Sequence, residues 1–139
     1  MNDEQLLAAF EAGELDAESF DHQAHLRIAW LLLRRWPLAK ALDRLGDGLR
    51  RLTASVGMPE AYHETVTWAY AFLIRERMDR GAHATFEEFR DAYPELMRRS
   101  PSLLRDYYSE TTLDSEAARR TFRLPDRAAE TLAGAPSGR

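Results

Sequence analysis

Cysteine is absent from the 139 residues. That rules out a disulfide framework and a thiolate metal site, and it fits a reducing compartment, so a cytoplasmic location is expected. Long apolar runs are also missing. Ile28 to Leu33 has six residues and Trp68 to Ile74 is of similar length, far short of the roughly 20 needed to span a bilayer. The start of the chain, MNDEQLLAAF, is acidic and has no basic region ahead of an apolar one, so it does not read as a secretory signal. Positive charge is not in excess. The formal net charge is −4, and the arginine pairs at 34–35, 50–51 and 98–99 are scattered rather than gathered into the basic surface that a nucleic-acid partner requires. No stretch alternates polar and apolar residues as a half-buried strand does, and no internal repeat is evident.

What remains is helical periodicity. Asp3 to Ala12 reads as a short amphipathic helix stopped by Gly13. Phe20 to Trp36 is apolar on every side in its middle, so it is expected to be buried at the centre of the domain. Ser19 or Asp21 can cap it, and Pro37 ends it. Leu38 to Ser55 has leucines at helical spacing, with Gly46 and Gly48 predicting a bend. A second apolar helix runs from about Tyr62 to Asp79, and Thr85 with Glu88 has the spacing of a capping box. Pro94 and Pro101 divide the next stretch into short pieces, and a last short helix is expected to end near Phe122. The pattern predicts an all-α fold: one compact domain over residues 1–125, a bundle of about five to seven helices with two central apolar ones. Residues 126–139, rich in Ala, Gly, Pro and Ser, are expected to form a disordered tail.

The chemistry-bearing residues gather at the starts of the two central helices. His22 and His25 are three apart and so face the same way on a helix. His63 and Glu64 open the second apolar stretch. Three consecutive helices joined by short turns favour antiparallel neighbours, which places the first and third parallel and their first turns at one end of the bundle. Three imidazoles meeting there match the ligand set of a catalytic metal site with a position left for water or substrate. A helix N-terminus disfavours imidazolium and so favours the metal-binding form. The reading is a small enzyme in which His22, His25 and His63 hold a divalent Zn, Fe or Cu ion. Glu64 acts as base or ligand, and the reaction is hydrolysis or another reaction of metal-activated water or oxygen. Arg27, Tyr62, Thr67 and Tyr107 are candidate contacts to a small-molecule substrate, Arg27 being expected first of all to pair with an acidic residue such as Glu64. Two other classes stay open: a metal-free small-molecule binder using His63, Glu64 and Arg27, and an accessory interaction module whose histidines are structural. No nucleic-acid or membrane partner is expected, and oligomeric state is not legible.

FDHQAHLRIAWLLL, AYHETVTWAYAFLI and LLRDYYSETTLDSEAARRTFRLPD, spread over Phe20 to Asp126, together resemble a group of small helical bacterial proteins with no assigned activity. The arrangement of three histidines in a helical bundle is similar to the DinB-like metal-binding bundles, although here the close pair comes first. The chain is also helical and histidine-rich like the HD-type phosphohydrolases, but Asp21-His22 reverses their defining doublet. These likenesses are architectural and imply no particular activity.

Overall fold

The computed structural model describes residues 1–99 and 101–127. Among them lie seven α-helices and no strand. Helix α1 (Asp3–Ala12) begins in a reciprocal capping box between Asn2 and Gln5 and ends at Gly13, whose φ of 73° is the left-handed conformation that suits glycine. Helix α2 (His22–Arg35) is capped by Asp21, whose carboxylate accepts from the Ala24 N–H at 2.8 Å, and stops at Trp36 before Pro37. Helix α3 (Leu38–Ser55) leads through Gly57 and a 3₁₀ turn, Pro59–Ala61, into α4 (Glu64–Met78). Helix α5 (Phe86–Ala92) is capped by Thr85. Short 3₁₀ turns at Pro94–Met97 and Leu103–Asp106 come next, then α6 (Glu110–Leu113) and α7 (Glu116–Arg120), capped by Ser109 and Ser115.

Helix α2 is the hub, touching α1, α3 and α4. Ile28, Ala29, Trp30, Leu32 and Leu33 are all buried, as its all-round apolar middle requires. Trp30 packs against Phe86 and Phe89 of α5, at centroid distances of 5.9 and 6.1 Å. Arg27 is oriented differently from expectation. It pairs with Asp3 in the first turn of α1, Nε to Oδ1 2.8 Å, rather than with Glu64. It ties α1 to α2 on the outside of the bundle.

The glycines of α3 mark close approaches within one unbroken helix. A methyl group on Gly48 would fall 2.2 Å from Cζ of the buried Phe10 ring, so hydrogen at this position is what lets α1 lie on α3. Gly46 gives the same room to the Tyr62 hydroxyl and the Arg50 guanidinium, each 3.2 Å from where a Cβ would be.

The C-terminal stretch is fastened to the body more firmly than its composition suggests. Thr65, fully buried in α4, donates to the Thr121 carbonyl at 3.0 Å and accepts from the Arg123 N–H at 3.1 Å. The Tyr108 hydroxyl donates to the Arg123 carbonyl at 2.7 Å. Asp126, expected in the tail, accepts from the Ser109 N–H (2.8 Å), the Ser109 hydroxyl (2.7 Å) and the Thr112 hydroxyl (2.9 Å). These bonds hold its carboxyl down at about 2. The Arg127 N–H donates to the Tyr107 carbonyl. The rest of the expected tail, 128–139, lies outside the described residues. No described helix is long and apolar enough to cross a membrane.

Candidate functional site

The first turns of α2 and α4 do meet. His25 and His63 line one cleft of about 210 Å³, together with Tyr62 and Thr67. Its apolar walls come from Phe20, Leu49 and Val66. Four of the residues singled out in the sequence therefore share a cavity, in the parallel arrangement that the short connections imply.

The bonding within this group differs from that of a metal centre. His63 is the N-cap of α4, and its Nδ1 accepts from the Val66 N–H at 3.1 Å. Its Nε2 lies 2.8 Å from the Leu113 carbonyl. The two contacts together require the tautomer with the proton on Nε2, which then donates. Both ring nitrogens are engaged, and the ring bridges the start of α4 to the end of α6. His22 lies one turn before His25. Its Nε2 donates to the Leu96 carbonyl at 2.9 Å, and its ring meets Tyr70 edge-on. Burial lowers its pKa, outweighing the opposing pull of the Leu96 bond. Among the described residues, no three His, Asp or Glu side chains are grouped to hold a metal ion. The three imidazoles do not share a coordination sphere here because two of them are turned onto main-chain carbonyls.

His25 is the exception. Its ring stacks on Phe20 at 5.6 Å, and its Nε2 is inaccessible to water and has no hydrogen-bond partner among the described residues. Burial, and then the neighbouring charge of His22, drop its pKa to about 4. A neutral imidazole with an unused nitrogen therefore sits in the cleft wall at ordinary pH. An unmatched buried polar atom costs about 1–3 kcal/mol, and native structures rarely leave one without a reason.

The rim is polar. The Tyr62 hydroxyl donates to Glu64 Oε1 at 2.6 Å, and Arg50 donates to the same oxygen at 3.2 Å. The Arg50 guanidinium also lies 4.5 Å over the Tyr62 ring. Burial, reinforced by Glu64, pushes the Tyr62 hydroxyl up to about 12. Tyr62 thus stays protonated, with Glu64 Oε1 as its acceptor. Thr67 turns its hydroxyl back onto the His63 carbonyl at 2.8 Å, an ordinary intrahelical bond. Tyr107 lines a separate, apolar cavity, and Arg27, paired with Asp3, does not line the cleft.

Arg50 is the member of this cluster that the sequence did not single out. Its signal was Gly46 four residues earlier on the same helical face, a vacancy that marks where another group comes close. No family model matches the chain, and no curated protein or solved structure matches it either.

Proposed function

We propose that the protein binds a small molecule in the cleft between α2, α3 and α4, using His25 as the recognition group. The observation that carries this is the His25 ring in the cleft wall, with its unpartnered Nε2 buried behind that wall, so a ligand reaches the nitrogen only when the ring turns toward the cleft. Pockets of this kind combine an apolar lining with a few placed polar groups that set orientation. Here Phe20, Leu49 and Val66 supply the lining, and His25, His63, Tyr62 and Thr67 the polar groups, with Glu64 and Arg50 bonded behind Tyr62. The ligand class is a compact, mainly apolar molecule with one hydrogen-bonding group. A bond to Nε2 satisfies an atom that is otherwise unmatched, so this contact contributes more than the same bond at an exposed site. The test is nitrogen-resolved NMR with a panel of small phenols, amides and carboxylic acids. Binders are expected to shift Val66 and Tyr62 resonances and to lose affinity about tenfold in His25→Leu, the loss of about one buried bond. A panel that leaves those resonances unmoved, or binds His25→Leu equally well, rejects the reading.

A metal-dependent enzyme is the second reading, favoured by the same vacant Nε2 with His22 one turn away. It requires the His22 and His63 rings to give up the Leu96 and Leu113 carbonyls and turn inward. Chelation followed by reconstitution with Zn²⁺ or Fe²⁺ tests it. A metal held by all three histidines raises stability by about 2.7 kcal/mol at 100 times its dissociation constant, and His63→Ala removes that increment. Equal increments in both proteins refute a three-histidine site.

A further inference from the structure

A separate apolar cavity borders the middle of α4. It measures about 390 Å³ and is walled by Phe72 and Leu73 of α4, Leu104 and Tyr107 of the following turns, and Phe122 and Leu124 of the C-terminal stretch. No charged side chain lines it, and the one hydroxyl deep in its wall, that of Tyr108, is spent on the Arg123 carbonyl. Its volume is at the lower end of the range for small-molecule sites, about 300–1,000 Å³. At the mouth Leu124 is 78% exposed, an apolar side chain held in water beside an apolar hollow.

Charge decides what kind of molecule fits. Arg123 and Arg127 flank the Leu124–Pro125 rim, both exposed, and neither has a carboxylate partner among the described residues. Asp126 stands between them, but its carboxylate is turned to Ser109 and Thr112. The backbones of both arginines are anchored to cavity walls, Arg123 through Tyr108 and Arg127 through Tyr107. An apolar hollow bordered by a stretch that carries two exposed arginines suits a hydrocarbon chain with an anionic head that either guanidinium can swing round to meet.

We infer that this cavity binds a medium-chain carboxylate, the alkyl chain between α4 and the 121–127 stretch and the head group at Arg123 and Arg127. The inference is independent of the His25 cleft, with which this cavity shares no lining residue. Trp68 is a built-in reporter, because it stacks on Phe122 at 5.2 Å, and Phe122 also meets Phe72 at 5.6 Å.

The experiment titrates the full chain with hexanoate, octanoate and decanoate below their micelle concentrations, following fluorescence and the NMR resonances of Phe72, Leu124 and Trp68. Affinity is expected to rise about fourfold per added methylene until the cavity is filled. Ala69→Phe, which places a ring in the cavity wall, is expected to abolish binding. Arg123→Gln with Arg127→Gln, both exposed and harmless to folding, is expected to weaken decanoate about tenfold while leaving decanol unchanged. Decyltrimethylammonium binding as well as decanoate overturns the assigned head group. No chain-length dependence, or shifts confined to residues away from α4 and 121–127, overturns the site. Resonances of residues 128–139 that move in Ala69→Phe without any added carboxylate identify the chain's own C-terminal segment as the occupant and also overturn it.

Discussion

Acid should weaken this fold in a way that a single imidazole controls. His25 has a pKa of about 4 in the folded protein, against 6.5 in an unfolded chain. A folded value below the unfolded one means that the unfolded state binds the proton more tightly. The stability linked to His25 is therefore fully present above pH 6.5 and is lost as pH falls from there towards 4. At pH 5 an unfolded His25 is almost fully protonated and a folded one is mostly neutral, which costs the fold about 2 kcal/mol relative to pH 7.5. His22 is shifted in the same direction and for the same main reason, burial, so it adds to the loss. The assay is urea unfolding at pH 7.5 and 5.0, with free energies extrapolated to water. Wild type is expected to lose at least about 2 kcal/mol over this interval, and His25→Leu about 2 kcal/mol less. At pH 7.5 the variant should be no less stable, because leucine removes the unmatched Nε2 and keeps an apolar body against Phe20. Parallel losses in the two proteins would refute the reasoning. So would an NMR titration of the His25 ring with a midpoint near 6.5.

Other consequences can be measured as directly. Gly48→Ala is expected to destabilise by about 1–3 kcal/mol through its clash with Phe10, despite a gain of about 1 kcal/mol in helix propensity. Phe10→Leu in the same chain should recover part of the loss, and a stabilised Gly48→Ala would contradict the close approach. Asp126→Asn should lower the melting midpoint at pH 7. Its folded carboxyl titrates at about 2, below the ordinary value of 3.8, so its contribution is present above 3.8 and disappears as pH falls through 2; the wild-type and variant midpoints should converge there. His63→Ala should cost about 1 kcal/mol as a lost N-cap, with His63→Asn restoring the bond to Val66 but not the one to Leu113; if alanine and asparagine behave alike, the ring is not acting as a cap.

The parts of this fold that were legible in the sequence are the local ones. Asp21, Thr85, Gly13 and Pro37 act on their own neighbours, so their helix boundaries could be read from a few residues. The meeting of His25 with His63 followed from connection length alone. The orientation of the rings did not, because His22 and His63 bond to the carbonyls of Leu96 and Leu113, 74 and 50 residues away. Every residue carries a carbonyl, so such a partner leaves no mark in the sequence. Arg27 was expected to seek a carboxylate and does, but several were available, and only the packing of α1 selects Asp3 over Glu64. The C-terminal anchor was hidden for a similar reason. Asp126 sits among Ala, Pro and Arg, and nothing nearby in the sequence announces Ser109 and Thr112.

The tether between Thr65 and the 121–123 stretch also has a bearing on how the chain is made. Thr65 is fully buried, and its acceptor comes 56 residues later and its donor 58. At translation rates of about 5–20 residues per second, those partners appear roughly 3–12 seconds after Thr65 itself. Helices form within about a microsecond. Helices α1 to α4 can therefore pair on the ribosome while one hydroxyl on α4 still faces water and the Phe72 side of that helix is bare. The nascent protein should pass through a stage with its central helices assembled and one apolar flank uncovered, and a chaperone that recognises exposed aromatic surface would find its target there.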